Sequence, residues 1–447
     1  MKVVLISTYE LGRQPFGLAS PAAWLRARGH EVECADLAVA PFPTQAVRDA
    51  GLVAFYLPMH TATRLAARPL SRVRGLNGSA HVAAYGLYAP MNEEFLRSFG
   101  VSTIIGGEFE AALADLADRL AASPGAAVPA SASSPMDRLN FVVPDRAGLP
   151  ALDRYAQLIM PEGARNVGYT EASRGCKHLC RHCPIVPVYQ GAFRIVQPDV
   201  VVEDIRRQVE VGARHITFGD PDFFNGPAHA VRIVEALQRE FPDLTYDVTI
   251  KIEHLLKHRA AVRKLKETGC LFVTTAVESV DDEVLRKLEK GHTRADFRTA
   301  AEFFRDEGLS LNPTFIAFTP WTTRQDYLDL FRTIRELDLI DQVGSVQLAL
   351  RLLIPAGSRL LELPDIQRVL RFYDTESLAW TWRHPDDLMD ALARTALKVV
   401  AREQKHGRSR REIFEMLWEL AGGESVPEEW DRISRAAVPY LNEPWYC

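Results

Sequence analysis

Along the first 125 positions, apolar residues come in short unbroken runs rather than at helical spacing. KVVLIST (2–8), HEVECADL (30–37), LVAFYLP (52–58), HVAAYGLY (81–88) and VSTIIGG (101–107) are such runs. Runs of this length, bounded by polar or glycine-bearing turns, predict buried strands. Between most of them lie amphipathic stretches that predict helices: FGLASPAAWLRARG (16–29), RLAARPLSRVRGLN (64–77), NEEFLRSFG (92–100) and EFEAALADLADRLAA (108–122). Pro21 suits a helix only near its start or at a kink. Strand alternating with helix at this spacing predicts a doubly wound parallel sheet, whose ligands bind beyond the carboxyl ends of the strands.

The pattern then breaks. SPGAAVPASASSP (123–135) has too little apolar surface to bury and reads as a linker. FVVPDRAGLPALDRYAQLI (141–159) reads as an ordered strap. Alternation resumes at VGYTEAS (167–173), followed by HITFGD (215–220), YDVTIKIE (246–253), LFVTTAVES (271–279), LNPTFIAFTP (311–320) and SVQLALRLLIP (345–355). Helical stretches, among them DVVVEDIRRQVEVGA (199–213) and AAVRKLKETG (260–269), lie between. Six βα units of this kind predict a second parallel sheet, a partial barrel. Residues 366–447 read mostly helical, with Trp380, Trp382, Trp418 and Trp430 as aromatic anchors. The expected division is residues 1–125, a linker over 126–155, a barrel over 156–365 and a helical region over 366–447.

Composition changes this picture little. A length of 447 favours two or three domains, and 47% hydrophobic with 25% charged residues is ordinary for a soluble globular chain. A net charge of −5 argues against a general nucleic-acid binder. No apolar run reaches the roughly 18 residues that span a bilayer, and MKVVLISTYELG is too short in its apolar core for a secretion signal. The six cysteines are too few and too clustered for a secreted disulfide framework, so a reducing cytoplasm is expected.

Three of those cysteines fall within eight residues, in RGCKHLCRHCP (174–184). Cys176, Cys180 and Cys183 have the spacing C-x3-C-x2-C. Zinc sites usually supply four ligands in two pairs. A zinc knuckle that adds His178 or His182 is one reading. The other is a four-iron cluster held by three thiolates, which leaves one iron open for chemistry. The loop follows a predicted strand at the carboxyl edge of a parallel sheet, and Gly175 permits a tight turn before the first cysteine.

At these residues TEASRGCKHLCRHCP (170–184) resembles the cluster loop of the radical SAM enzymes. The resemblance implies a [4Fe-4S] cluster on Cys176, Cys180 and Cys183. Its open iron is chelated by S-adenosylmethionine, whose sulfonium is cleaved by one electron, usually to a 5′-deoxyadenosyl radical. Other strand ends carry the family's secondary signals. GDPDFF (219–224) brings Gly219 and Asp220 near the methionyl amino group, against the plain reading of a βα turn. VES (277–279) and VDDEVLRKLEKGHT (280–293) resemble the fourth-strand pattern, with Glu278 toward the ribose or, structurally, a salt-bridge partner. His182 and Lys251 join the cofactor-side candidates. Arg351, before the IPAGS turn (354–358), is either a carboxylate clamp or a structural ion pair. FIAFTPWTT (315–323) departs from the family's Gly/Pro-rich fifth-strand turn.

STYELGRQPFGLASPAAWLRARGHEV (7–32), IIGGEFEAALADLADRL (104–120) and VPDRAGLPALDRYAQL (143–158) are similar to the cobalamin-binding radical SAM class. That resemblance implies a cobalamin-binding-like Rossmann fold before the barrel, with Gly106 and Gly107 letting a corrin or nucleotide tail approach the backbone. No D-x-H-x-x-G stretch supplies a lower axial histidine, and His60 in LPMHTATR (57–64) is the lone candidate near a strand end. The tail LNEPWYC (441–447) resembles that of a radical SAM subgroup named for a terminal Cys-Cys-Ala-Glu-Pro motif, with Leu441 and Asn442 where the cysteine pair belongs. Cys34 and Cys270 read as buried core, and Cys447 as a chain end.

The resulting expectation is an oxygen-sensitive enzyme acting on a small-molecule substrate. It would be fed by an electron donor such as flavodoxin or ferredoxin, with neither nucleic acid nor membrane as partner. Cobalamin-assisted methyl transfer is the favoured reaction. Transfer of the 3-amino-3-carboxypropyl group of SAM without cobalamin is the alternative. A non-catalytic metal or cobalamin carrier is the third reading, and it leaves six strand-end signals around one cluster unexplained.

Overall fold

The structure is a computed structural model and describes residues 1–123 and 132–424, together with the short strand Tyr440–Leu441. Five parallel strands form the first sheet: β1 (Lys2–Ser7), β2 (Glu31–Asp36), β3 (Leu52–Tyr56), β4 (His81–Tyr85) and β5 (Thr103–Ile105). Their order is β2-β1-β3-β4-β5, with Leu5 opposite Cys34, Val4 opposite Val53 and Ala84 opposite Ile104. Successive side chains point to opposite faces, and both faces are covered. Val4, Ile6, Val53, Phe55 and Val82 feed one core, whereas Val3, Leu5, Leu52, Ala54 and Tyr85 feed the other. That double burial is why these strands read as unbroken apolar runs.

Pro21 stands inside the helix Phe16–Ala27 rather than near its start. A proline there leaves the carbonyl four residues earlier without its N–H partner. The buried Tyr85 hydroxyl donates to that carbonyl, on Gly17, at 2.8 Å.

The strap enters the second sheet through β6 (Gln157–Met160) and β7 (Gly163–Thr170). A two-stranded ladder of β8 (Ser173–Gly175) and β9 (Phe193–Ile195) follows, then β10 (His215–Phe218), β11 (Thr245–Thr249), β12 (Cys270–Glu278) and β13 (Ser310–Phe315). β7 and β10 to β13 run parallel, and β6 pairs antiparallel with β7. The expected sixth strand is absent as a strand among the described residues. Ser345–Leu348 is a 3-10 turn, and only a single bridge joins Phe318 to Arg351. The reason is local: the Gln347 side-chain oxygen accepts the Phe315 N–H at 3.0 Å, where a sixth strand would offer a backbone carbonyl.

Beyond the barrel the expected helical region begins with a hairpin, β14 (Leu370–Asp374) and β15 (Ala379–Trp382). Two helices follow, Asp387–Lys405 and Arg410–Leu420. They share the barrel's core through Met389, Ala396, Phe414 and Leu417, with Phe414 4.7 Å from Phe331. β16 (Tyr440–Leu441) closes the outer edge of the sheet on β6. Among the described residues no helix is long and apolar enough to cross a membrane. Trp430, Cys447 and linker residues 124–131 lie outside the described residues.

Candidate functional site

The cysteine loop, residues 176–192, leaves the barrel at the carboxyl end of β7 and is closed at its base by the β8–β9 ladder. Gly175 has φ +72°, and a Cβ on it would sit 2.3 Å from the Tyr189 ring and 2.6 Å from the Ala192 carbonyl. Only glycine satisfies both the turn and the contact. Asn225, which follows β10, clamps both sides of Cys176. Its amide donates to the Gly175 carbonyl at 3.1 Å, and its oxygen accepts the Lys177 N–H at 3.3 Å. Ser358 donates to the Arg181 carbonyl, and Arg359 donates to that of Leu179.

Cys176, Cys180 and Cys183 are free thiols, the first two buried. Burial pushes the Cys176 thiol up to about 11 and the Cys183 thiol up to about 12. The backbone N–H groups of His178 and Ile185 bond to these two sulfurs and oppose that shift. Lys251 Nζ stands 3.7 Å from Cys180 Sγ. Three thiols lined with N–H donors and a lysine suit thiolates that share an iron–sulfur cluster. A single zinc ion draws its thiolates to about 3.8 Å of one another, given a Zn–S bond of about 2.3 Å.

Glu278 ends β12 in a left-handed conformation, φ +69°, beside a register shift. A non-glycine residue held there marks a site whose surroundings enforce it. Its Oε1 accepts from His182 Nε2 at 3.1 Å and from Lys290 Nζ at 3.3 Å. Burial pushes this carboxyl up, but Lys290 and His182 outweigh it and hold it down to about 2. His182 thus reaches the fourth strand's carboxylate from inside the cysteine loop.

Gly219 and Asp220 support the loop from behind. A Cβ on Gly219 would fall 1.9 Å from the Tyr169 hydroxyl oxygen. Asp220 accepts from Ser173 Oγ at 2.6 Å and from the Ala172 N–H at 2.9 Å, and burial pushes it up to about 7. Its oxygens are thereby turned onto the segment that leads to Cys176. Arg351 stands in an ion pair, as one of the two expectations had it. Nη1 meets Asp390 at 2.6 Å, Nη2 donates to the Trp382 carbonyl, and the guanidinium lies 3.6 Å over the Trp382 ring.

The turn at Gly106 and Gly107 is filled by the chain itself. The Gly106 N–H donates to the Ser133 carbonyl, and a Cβ on Gly107 would meet the Pro135 carbonyl oxygen at 2.3 Å. The small residues there admit the chain's own strap. His60 Nε2 bonds to the Ser377 carbonyl in the hairpin turn, and burial lowers its pKa.

The first sheet meets the cysteine loop through residues that the sequence did not single out. Arg174, two positions before Cys176, is buried between Glu110, Glu171 and Glu108, with contacts of 2.6, 2.6 and 3.4 Å. Tyr189, inside the loop, donates to Glu108 at 3.0 Å. Nothing in the linear pattern marks a buried arginine two of whose partners, Glu108 and Glu110, lie more than sixty positions away. At the carboxyl edge of the first sheet, the order β2-β1-β3 places the reversal of winding between β1 and β3, where such sheets bind ligands. Ser7 Oγ and Glu10 Oε2 lie just there, buried and without a hydrogen-bond partner. Burial raises Glu10 well above the usual carboxylate range. Orphaned polar atoms at a switch point suit a polar ligand.

Residues 170–334 match the model of the radical SAM superfamily. A 151-residue stretch is 29% identical to a hopanoid C-3 methylase from Methylococcus capsulatus, covering 34% of this chain and 29% of that protein. A ribosomal protein uS12 methylthiotransferase from Parabacteroides distasonis is 22% identical, over 39% of this chain and 42% of its own. These matches span less than half of the curated relatives' length. Solved structures align more widely. The radical S-adenosylmethionine methyltransferase TsrM from Kitasatospora setae, with tryptophan substrate and a SAM analogue bound, superposes with a TM-score of 0.66 at 15% identity, over 90% of this chain and 89% of that one. The cobalamin-dependent enzyme OxsB, with aqua-cobalamin and S-adenosylmethionine bound, gives 0.65 at 14% identity, over 88% and 65%. Identities this low speak for the fold, and the fold is shared through both sheets. Residues 170–334 therefore carry a radical SAM domain, in a chain that shares the fold of TsrM and OxsB.

Proposed function

We propose that this protein is a cobalamin-dependent radical SAM enzyme that transfers a methyl group to a small-molecule substrate, with flavodoxin or ferredoxin as electron donor. The observation that carries this reading is the direct junction of the first sheet with the cysteine loop through Arg174, Glu110 and Glu108. It holds the ligand edge of one sheet against the cluster-bearing edge of the other.

Cys176, Cys180 and Cys183 would hold a [4Fe-4S] cluster, which supplies an open iron and one electron for cleaving SAM. Cobalamin, when bound, supplies a cobalt that carries the methyl group. The chain's own residues do the rest. Lys251 places a positive charge beside the Cys180 sulfur. Glu278 is kept ionised by Lys290 and His182, both on Oε1, so that Oε2 can accept from the ribose diol of SAM. Ser7 and Glu10, with the turn after β3, would meet polar groups of the corrin at the switch point.

The test is anaerobic reconstitution of the full chain with iron, sulfide and cobalamin. About four irons per chain and cobalamin retained through gel filtration are expected, with methylated product only when both are present. A cobalamin-free protein that cleaves SAM to 5′-methylthioadenosine overturns the methyl-transfer reading in favour of 3-amino-3-carboxypropyl transfer.

A further inference from the structure

Three side chains beside the cysteine loop have no part in that chemistry. His178 stands inside the loop, between Cys176 and Cys180. Asp222 follows β10, and His254 follows β11 in the helix Ile252–Lys257. One ligand atom from each lies within 4.8 Å of the other two. Asp222 is fully buried and His254 is 1% exposed. Asp222 Oδ2 lies 2.6 Å from His254 Nδ1 and 3.8 Å from His178 Nε2, and the two histidine Nε2 atoms share a hydrogen bond of 3.3 Å.

The close pair is not a hydrogen bond. Asp222 Oδ2 and His254 Nδ1 are both buried without a hydrogen-bond partner, although 2.6 Å apart. The distance is short enough, so the angle is what fails: the oxygen lies off the ring's N–H direction. A buried carboxylate oxygen and a buried imidazole nitrogen left in this way are costly unless something else binds both. A cation does. Two imidazoles and one carboxylate are a donor set for zinc and its first-row neighbours. Outer partners are also in place. Asp222 Oδ1 accepts the Phe224 N–H at 3.1 Å, and His178 Nδ1 faces Glu253 Oε2 at 3.7 Å. The first of these is the kind of hydrogen bond that orients a metal-bound carboxylate, and the second sets a negative charge beside the imidazole.

We propose that His178, Asp222 and His254 form a divalent transition-metal site, separate from the cluster cysteines, that ties the cysteine loop to the carboxyl ends of β10 and β11. Its anchors come from three separate βα units, so a bound ion fixes the stretch between Cys176 and Cys180 against the barrel rim. A metal-free Asp–His–His brace is the rival account.

Zinc is the probe. The full chain, reconstituted anaerobically so that iron fills the cysteines, is incubated with zinc sulfate, passed through gel filtration and assayed for both metals. About four irons and about one zinc per chain are expected. Asp222→Asn and His254→Gln should each keep the iron and lose at least nine-tenths of the zinc. Zinc absent from the wild-type chain, or unchanged in both variants, overturns the site and leaves the brace. If either variant fails to fold, X-ray absorption at the zinc edge of the wild-type holoprotein decides. Nitrogen and oxygen neighbours at about 2.0–2.2 Å support the site, and a sulfur neighbour near about 2.3 Å overturns it. Failure of the radical SAM reading looks different: the cysteines would take up no iron, whatever happens to the zinc.

Discussion

Arg174 and Glu110 form a two-pronged pair, Nη2 to Oε1 at 2.6 Å and Nη1 to Oε2 at 2.9 Å. The arginine belongs to β8, the entry strand of the cysteine loop. The glutamate belongs to the first turn of the helix after β5, where the helix dipole also favours a negative charge. The rings of Phe16, Phe109 and Phe141 lie 5.0–5.5 Å from the guanidinium carbon. Burial alone would disfavour the charge, but Glu110, Glu171 and Glu108 outweigh it and raise the arginine well above its usual pKa. One fixed cation therefore joins the two sheets at the root of the cluster loop.

Arg174→Met keeps an unbranched apolar stem and removes the charge. It leaves three buried carboxyl groups facing one another without their cation. Breaking a buried pair from one side costs about 3–5 kcal/mol. Urea denaturation of the apo-protein should show a loss of that size. Reconstituted iron should fall as well, because Arg174 is two residues from Cys176. A loss under about 1 kcal/mol would show that solvent reaches the pair.

Gly175→Ala tests the turn itself. The new methyl group meets the Tyr189 ring and the Ala192 carbonyl, and φ +72° is strained for alanine in any case. Backbone and ring must both move, and the β8–β9 ladder that closes the loop goes with them. The expected outcome is a folded chain by circular dichroism with less than half the wild-type iron. Full iron loading would mean that the loop tolerates the shift.

Glu278→Gln should keep the iron and weaken SAM. No thiolate changes, but the acceptor loses its charge. A charged hydrogen bond contributes about 1.5–3 kcal/mol, so affinity should fall roughly ten-fold or more in equilibrium dialysis with labelled SAM. Unchanged affinity would leave Glu278 as an anchor for His182 and Lys290 alone.

What the sequence could show, it showed through periodicity and spacing. The unbroken runs of β1, β3 and β4 announce burial on both faces, and C-x3-C-x2-C marks the cysteine loop at the barrel's carboxyl edge. The sixth strand failed because an apolar run cannot reveal that Gln347 will cap the edge of β13 with its side chain. Arg351 and Gly106–Gly107 were read by their chemistry, and each is taken by a partner from a distant segment: Asp390 for the arginine, residues 133–135 for the glycines. Asn225, Arg174 and Glu110 went unnoticed for the same reason. Their role exists only once two sheets are brought together.

Asp36 ends β2 at the ligand edge of the first sheet. Burial pushes it up to about 6, against a hydrogen bond from the Ala38 N–H. Its unfolded value is about 3.9. Between about pH 4 and pH 6 the unfolded chain releases this proton while the folded chain keeps it, so stability falls as pH rises through that window. The wild-type minus Asp36→Asn difference in unfolding free energy should therefore drop by roughly 2 kcal/mol from pH 4 to pH 7. A flat difference across that range would place the Asp36 carboxyl in contact with water.

His60 Nε2 is tied to the hairpin turn between β14 and β15 rather than free to meet a metal. Burial lowers its pKa, so the ring is neutral near pH 7. Its Nε2 faces the Ser377 carbonyl, which can only accept, so that nitrogen carries the proton. A nitrogen that donates to a carbonyl has no lone pair for cobalt. Arg64, one turn further along the same helix, donates to the neighbouring Glu376 carbonyl at 3.1 Å, so the helix is fastened to the hairpin twice. His60→Ala removes one fastening and should cost about 1 kcal/mol of stability. The visible spectrum of bound cobalamin should stay that of a cobalt without a protein nitrogen beneath it, identical in wild type and variant. A spectrum that changes on substitution would show that His60 leaves the hairpin to bind cobalt.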